Sequence, residues 1–272
     1  MMAHTKRNAS LTVDRRSMRG FTLTEAIMVI VITGILASMV AMFIRKPVQG
    51  FFDTARRAAL VDAADTVLRR ISRDVREALP NSVRVSGGTA LEFLHVRSAG
   101  RYREQGPGDS LDFTTNDTSF DVLGSAVSVQ SGDSIVVYNL GITGASAYEA
   151  PGTSRRVAAA PFGASLSNVA FTSGTFFPLA SPAKRFQVID TPVSYICSGT
   201  QMLRYSSYAI APTQPVPPAV AGALIASKVS GCSFAYASGP SEREALVTLS
   251  LALTDTGETV SLIYQIHVNN AP

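Results

Sequence analysis

Residues 21–44, FTLTEAIMVIVITGILASMVAMFI, constrain this chain more than any other stretch, because they form one unbroken apolar run that holds a single charge, Glu25. A helix needs about 20 mostly apolar residues to cross the hydrocarbon core of a bilayer, so the run is long enough to span it. Arg45, Lys46 and Pro47 close it. Upstream lie Lys6, Arg7, Arg15, Arg16 and Arg19, opposed only by Asp14. That bias keeps a short N-terminus in the cytoplasm and sends the rest across; Arg45 and Lys46 pull the other way but are outnumbered. A secretory signal peptide would have a shorter apolar region, roughly 7–15 residues, followed by a small-residue exit. Neither is present. An ionised carboxylate in hydrocarbon costs about 2.5–3.5 kcal/mol even on lenient scales, so Glu25 needs a compensating partner or must snorkel to the headgroups.

Charge is distributed unevenly. The chain carries 24 Lys+Arg against 20 Asp+Glu, a net +4 with pI ≈ 9.2. The whole excess sits in residues 1–20, so the remainder is neutral overall and offers no basic surface that would call for nucleic acid. Cys197 and Cys232 are the only cysteines and lie far from the span. In an oxidising compartment they read as one disulfide, closing a loop of about 36 residues worth about 4 kcal/mol by the chain-entropy estimate. Two free buried thiols are the alternative; a metal site from two cysteines without nearby histidine is not expected.

Beyond Pro47 and Gly50, where a kink or local melting is expected, the spacing of Leu60, Ala64, Val67, Leu68, Ile71, Val75 and Leu79 gives one apolar stripe on a helix. Arginines and acids alternate on its other face, and Pro80-Asn81 should end it. From residue 81 the pattern changes to period two. Residues 82–86, 90–96, 134–140, 185–190, 193–197 and 201–205 read as short strands between Gly, Ser, Asn and Pro. Val247, Leu249, Leu251 and Leu253, the turn Asp255-Thr256-Gly257-Glu258, and Val260, Leu262, Tyr264, Ile266 and Val268 read as a hairpin with one buried face. Residues 100–116 and the proline-rich 211–218 read as surface loops. The expected fold class is α+β: a long N-terminal helix, half transmembrane and half amphipathic, packed on an antiparallel β-rich globular head.

The step Gly20-Phe21-Thr22-Leu23-Thr24-Glu25, behind a basic leader and at the edge of an apolar span, resembles the processing site of type IV prepilins and type II secretion pseudopilins. The resemblance implies that prepilin peptidase cuts between Gly20 and Phe21 on the cytoplasmic side, that Phe21 is N-methylated, and that Glu25 is retained. It also answers the question of the buried charge. In a helical assembly Glu25 of one subunit can meet the terminal amine of its neighbour, each neutralising the other. Further stretches, RKPVQGFFDTARRAALVDAADTVLRRISRDVREALPNSVRV, RFQVIDTPVSYIC, LRYSSYAI and HVNNAP, are similar to MshO-type minor pilins of the mannose-sensitive haemagglutinin (MSHA) pilus; residues 100–180 carry no matching motif. On this resemblance residues 1–20 are a cytoplasmic leader, 21–45 a transmembrane helix, 46–80 an amphipathic helix and 81–272 a periplasmic head, in a single-pass inner-membrane protein. Its implied partners are prepilin peptidase, other major and minor pilins and the inner-membrane assembly platform.

Enzyme chemistry finds little footing. His4 lies in the leader, and His95 and His267 fall in strand patterns without metal-ligand spacing. There is no G-x-S-x-G, H-E-x-x-H or Walker-type sequence. Asp109, Asp112, Asp117 and Asp121 cluster but lack the calcium-loop pattern and its turn glycine, so they read as a solvated loop. The reading is a non-enzymatic minor pilin with no cofactor and no metal site. The alternatives are a J-type pseudopilin of type II secretion, a pilus-tip adhesin, and a membrane-tethered hydrolase with no visible site.

Overall fold

The computed structural model describes residues 20–149, 153–172, 176–238 and 244–272, and the leader up to residue 19 lies outside them. The chain divides into two compact units, the first ending at Asp53 and the second starting at Thr54.

One helix, α1 (Leu23–Arg76), begins in the first unit and ends in the second. In the first unit its large apolar side chains are exposed, Ile30 at 70% and Phe43 at 81%. An 18-residue window of this helix reaches a mean hydropathy of 2.7. Its hydroxyls are satisfied internally: Thr33 Oγ1 donates to the Val29 carbonyl at 2.6 Å and Ser38 Oγ to the Ile35 carbonyl at 2.7 Å. Such bonds remove the cost of carrying hydroxyls through a medium without water. Residues 47–50 are helical, so the local melting expected there does not occur. Proline supplies no N–H for the carbonyl one turn back, but one missing bond inside a long helix leaves the propagated turns on both sides intact.

In the second unit the apolar stripe is buried as its spacing predicts. Leu60, Ala64, Val67, Leu68, Ile71 and Val75 are each no more than 6% exposed. Burying them contributes on the order of 10 kcal/mol as an upper figure. The helix stops at Arg76, earlier than Pro80. The cause is competition for the backbone: the Leu79 N–H donates to the Leu94 carbonyl at 2.8 Å and the Val96 N–H to the Glu77 carbonyl at 3.0 Å. Leu79 is still buried, but through this strand-like pairing and not as part of the helix.

Strands β1 (Arg84–Ser86), β2 (Ala90–Tyr102), β3 (Ser119–Leu123), β4 (Val127–Val129) and β5 (Ser134–Val137) follow. Next come β6 (Arg155–Ala159), β7 (Gly163–Leu166), β8 (Asn168–Phe171), β9 (Arg185–Ser198) and β10 (Gln201–Tyr205). The last are β11 (Ala223–Ser227), β12 (Val229–Ser238), β13 (Glu244–Asp255) and β14 (Glu258–Asn269). The pairings among them are antiparallel.

The head is built on β2 and β9, which pair along most of their length and serve two layers. The first half of β2 and the second half of β9, flanked by β1, β10 and β11, form a sheet on which the helical stripe packs. Their other halves continue through β3, β8, β6 and β5 into a closed ring of six strands. Tyr102, Phe120, Phe171, Phe186 and Val188 fill that small barrel. Closure pairs strand edges that would otherwise be open. The strands change layer where their register breaks. Leu94 pairs with Pro192 and Val96 with Ile189, so His95 stands opposite both Asp190 and Thr191. A bulge of this kind bends the pair and sharpens its twist.

Sequence patterning finds β9 as two separate pieces and only the first half of β2. Residues 185–190 and 193–197 belong to one strand, and Gly100–Tyr102 belong to β2, so the loop expected from residue 100 starts at 103. The terminal hairpin matches its expected register without a slip. Its turn has positive φ at Thr256 (50°) and Gly257 (89°), as a two-residue primed turn requires. Strands β12, β13 and β14 form their own sheet, whose buried face (Phe234, Val247, Leu249, Leu251, Ile266) joins the helical stripe in one core. Cys197 on β9 and Cys232 on β12 are joined sulfur to sulfur with Cα atoms 6.3 Å apart, a span within ordinary disulfide range.

Candidate processing and assembly site

Gly20 and Phe21 lie ahead of the helix, and Phe21 is 74% exposed. A Cβ built on Gly20 meets nothing within 4 Å and its φ is not left-handed, so the fold itself does not require glycine there. Thr22 is the N-cap: its Oγ1 accepts the Glu25 N–H at 3.3 Å, and its carbonyl accepts the Ala26 N–H at 3.1 Å. Glu25 therefore stands in the first helical turn, where the positive end of the helix dipole favours a carboxylate. Thr22-Leu23-Thr24-Glu25 is the S/T-x-x-E spacing of a capping box. Sequence analysis missed this signal, which the spacing could have supplied and which is independent of any assembly role for Glu25. The side chain of Glu25 is exposed.

The other residues singled out by sequence fall in the second unit. The strand bulge brings His95 to two carboxylates, with Nδ1 2.9 Å from Asp190 Oδ1 and Nε2 3.4 Å from Glu77 Oε2. Arg97, next but one, donates to Asp133 at 2.8 Å and to Asp190 at 3.3 Å. His95, between Asp190 and Glu77, forms an ion-pair clasp that ties the helix exit to β9. The hydrogen bond to Asp190 raises the His95 pKa from its ordinary 6.5, with burial opposing. The folded chain thus holds this proton to higher pH than the unfolded chain. The stabilisation is complete below about pH 6.5 and is lost as pH rises through the raised value. The urea midpoint of the detergent-solubilised protein is expected to fall between about pH 6 and pH 8, and His95→Gln to flatten that fall. An unchanged slope in the variant would place the titrating proton elsewhere.

His267 is exposed on β14, opposite Leu246. Asp109 and Asp121 share the Asn168 amide at 2.9 and 3.1 Å, and Asp121 also pairs with Arg103 at 3.2 Å. Asp112 caps its own turn through Thr114 and Thr115, each at 2.7 Å. These hydroxyl bonds hold its pKa down at about 2. Asp117 accepts the Asp112 N–H at 2.8 Å, so three of the four aspartates are engaged within the loop and Asp121 on β3 beside it; among the described residues no group of three or more His, Cys, Asp or Glu is arranged to hold a metal.

No curated protein and no solved structure matches the chain. Residues 15–41 do match the family described as the prokaryotic N-terminal methylation motif. The match runs from the basic leader, across the Gly20-Phe21 step and the capped helix start at Thr22, into the exposed apolar half of α1. Residues 15–41 therefore carry a type IV pilin-type prepilin signal, which makes the N-terminal segment of this chain pilin-like or pseudopilin-like.

Proposed function

We propose that the chain is a non-enzymatic minor pilin of MshO type, anchored in the inner membrane by α1 and acting in assembly or initiation of an MSHA-type pilus. In this reading prepilin peptidase removes residues 1–20, Phe21 is methylated, the N-terminus starts on the cytoplasmic side and the head is periplasmic. The observation that carries it is the methylation motif over residues 15–41 on a helix that exposes an unbroken apolar surface. The Cys197–Cys232 bridge fits an oxidising compartment. An open, unclashing Gly20 fits a glycine kept for a peptidase pocket rather than for the fold. The same motif also serves pseudopilins, so a J-type role in type II secretion is the second reading. Deletion separates the two: loss of pili with intact secretion supports the first, and the reverse supports the second.

Intact-mass analysis of the protein from membranes tests processing. The expected species begins at Phe21, carries one added methyl group, and lacks two hydrogens until reduction opens the disulfide. A chain that keeps residues 1–20, or one cut beyond Ile44, would overturn the prepilin reading.

A further inference from the structure

Two clefts meet on the face of the head where β2 and β9 enter the barrel. One, of about 430 Å³, lies between Arg76 in the last turn of α1, Val96 and Ala99 on β2, and Ala271. The other, of about 360 Å³, lies between Ala99, Gly100 and Arg101 on β2 and Leu123 and Ser125 beyond it. They share Ala99, Arg185 and Gln187, and so form one continuous trough.

Arg101 and Arg185 are direct partners across the β2–β9 ladder. Like charges placed directly opposite each other destabilise an antiparallel pair. Both are exposed, and among the described residues neither forms an ion pair with a carboxylate. The neighbouring acids are engaged elsewhere: Glu104 with Lys184 at 2.6 Å, Asp121 with Arg103 at 3.2 Å, and Glu77 with His95 at 3.4 Å. Gln187, two residues from Arg185 and on the same face of β9, lines both clefts and is only 8% exposed. Arg76 adds a third guanidinium at the far end.

We propose that this trough binds an extended acidic peptide segment of a partner protein, whose carboxylates are taken up by Arg101, Arg185 and Arg76. The guanidinium fork matches a carboxylate in two parallel hydrogen bonds, and a bound acid relieves the repulsion between Arg101 and Arg185. Small residues (Ala99, Ser125, Ala271) lie along part of the lining and let a peptide backbone approach; the one carboxylate in it, Glu77 beside Arg76, is turned to His95 at 3.4 Å. The aromatic residue along it, Phe186, is fully buried with its ring in the barrel core. The trough therefore offers no ring face on which a sugar or base could stack, which favours peptide over glycan.

The test uses the full chain in detergent micelles and a fluorescein-labelled peptide of alternating Glu and Ser, followed by anisotropy. The parent should bind this peptide and ignore its Gln-Ser counterpart. Arg101→Gln/Arg185→Gln should weaken binding at least tenfold while Tm stays unchanged or rises. Arg57→Gln/Arg70→Gln, which removes the same charge from exposed helical positions, should bind like the parent. Equal binding of the two peptides, equal loss in both double variants, or retained binding in Arg101→Gln/Arg185→Gln overturns the proposal. So does a fall in Tm together with the loss of binding, which would assign the pair to folding. Binding of polygalacturonate at the arginine pair without binding of the acidic peptide overturns it in favour of a glycan.

Discussion

Glu25→Ala is expected to be cleaved and inserted normally, yet to be excluded from the assembled filament or its initiating complex. On the proposed reading the substitution leaves a neighbour's terminal amine without its counter-charge in a dry helical core. Removing one partner of a buried ion pair costs about 3–5 kcal/mol, enough to reduce incorporation by two orders of magnitude or more. The helix start should survive, because the cap bond runs from the backbone N–H of residue 25 to Thr22 Oγ1 and does not use the Glu25 carboxylate. Thr22→Ala is the matching control. It removes the cap, at about 1 kcal/mol, and leaves the charge in place. Cross-linking of the head to other pilins reads incorporation for both variants. Assembly of Glu25→Ala at the parental level, or equal failure of both variants, would reduce Glu25 to a snorkelling or capping residue.

Glu92→Ala should cost the head about 3–5 kcal/mol, the range for breaking a buried charge pair. Glu92 is 1% exposed and accepts from Arg84 Nε at 2.9 Å and from the Tyr208 hydroxyl at 2.9 Å. The Ser194 hydroxyl donates to it at 3.3 Å. Arg84 in turn lies over the Tyr148 ring, 3.6 Å from its centroid, and donates to the Pro212 and Ala211 carbonyls at 2.6 and 2.9 Å. One carboxylate thus ties β2 and β9 to the proline-rich loop. Burial, with the Glu92 charge contributing, pushes the Tyr148 and Tyr208 hydroxyls well above their ordinary pKa, so both remain neutral donors. Urea midpoints should rank the parent above Glu92→Gln, and Glu92→Gln above Glu92→Ala, since glutamine keeps an acceptor for Tyr208. Limited proteolysis should also reach residues 211–218 faster in Glu92→Ala. A loss below about 1 kcal/mol would mean that water takes over the partners of Glu92 at little cost.

Sequence legibility followed the range of the interactions. The apolar span, the stripe from Leu60 to Val75 and the terminal hairpin are encoded by spacing within a few residues, and each appears in the structure in that register. The N-cap bond at Thr22, which sequence patterning did not single out, is equally local, spanning three residues. The partners of Glu92 were not, because Tyr208 and Ser194 lie more than a hundred positions away along the chain and no local pattern pairs them with β2. The same holds for His95, whose meeting with Asp190 depends on a bulge between two distant strands.

By itself the sequence determined a membrane-capable, motif-bearing helix with a buried second half and a β-rich head, because local periodicity decides which face of each element is apolar. Tertiary structure alone decided where the helix stops, since the Leu79 N–H and the Glu77 carbonyl take strand-like partners, Leu94 and Val96, only once β2 is alongside. It also decided that β2 and β9 continue from the sheet under the helix into a closed barrel, and that Arg101 and Arg185 pair there. Those outcomes rest on backbone pairing between segments some ninety residues apart, whose register is set by the competing pairings of the whole sheet.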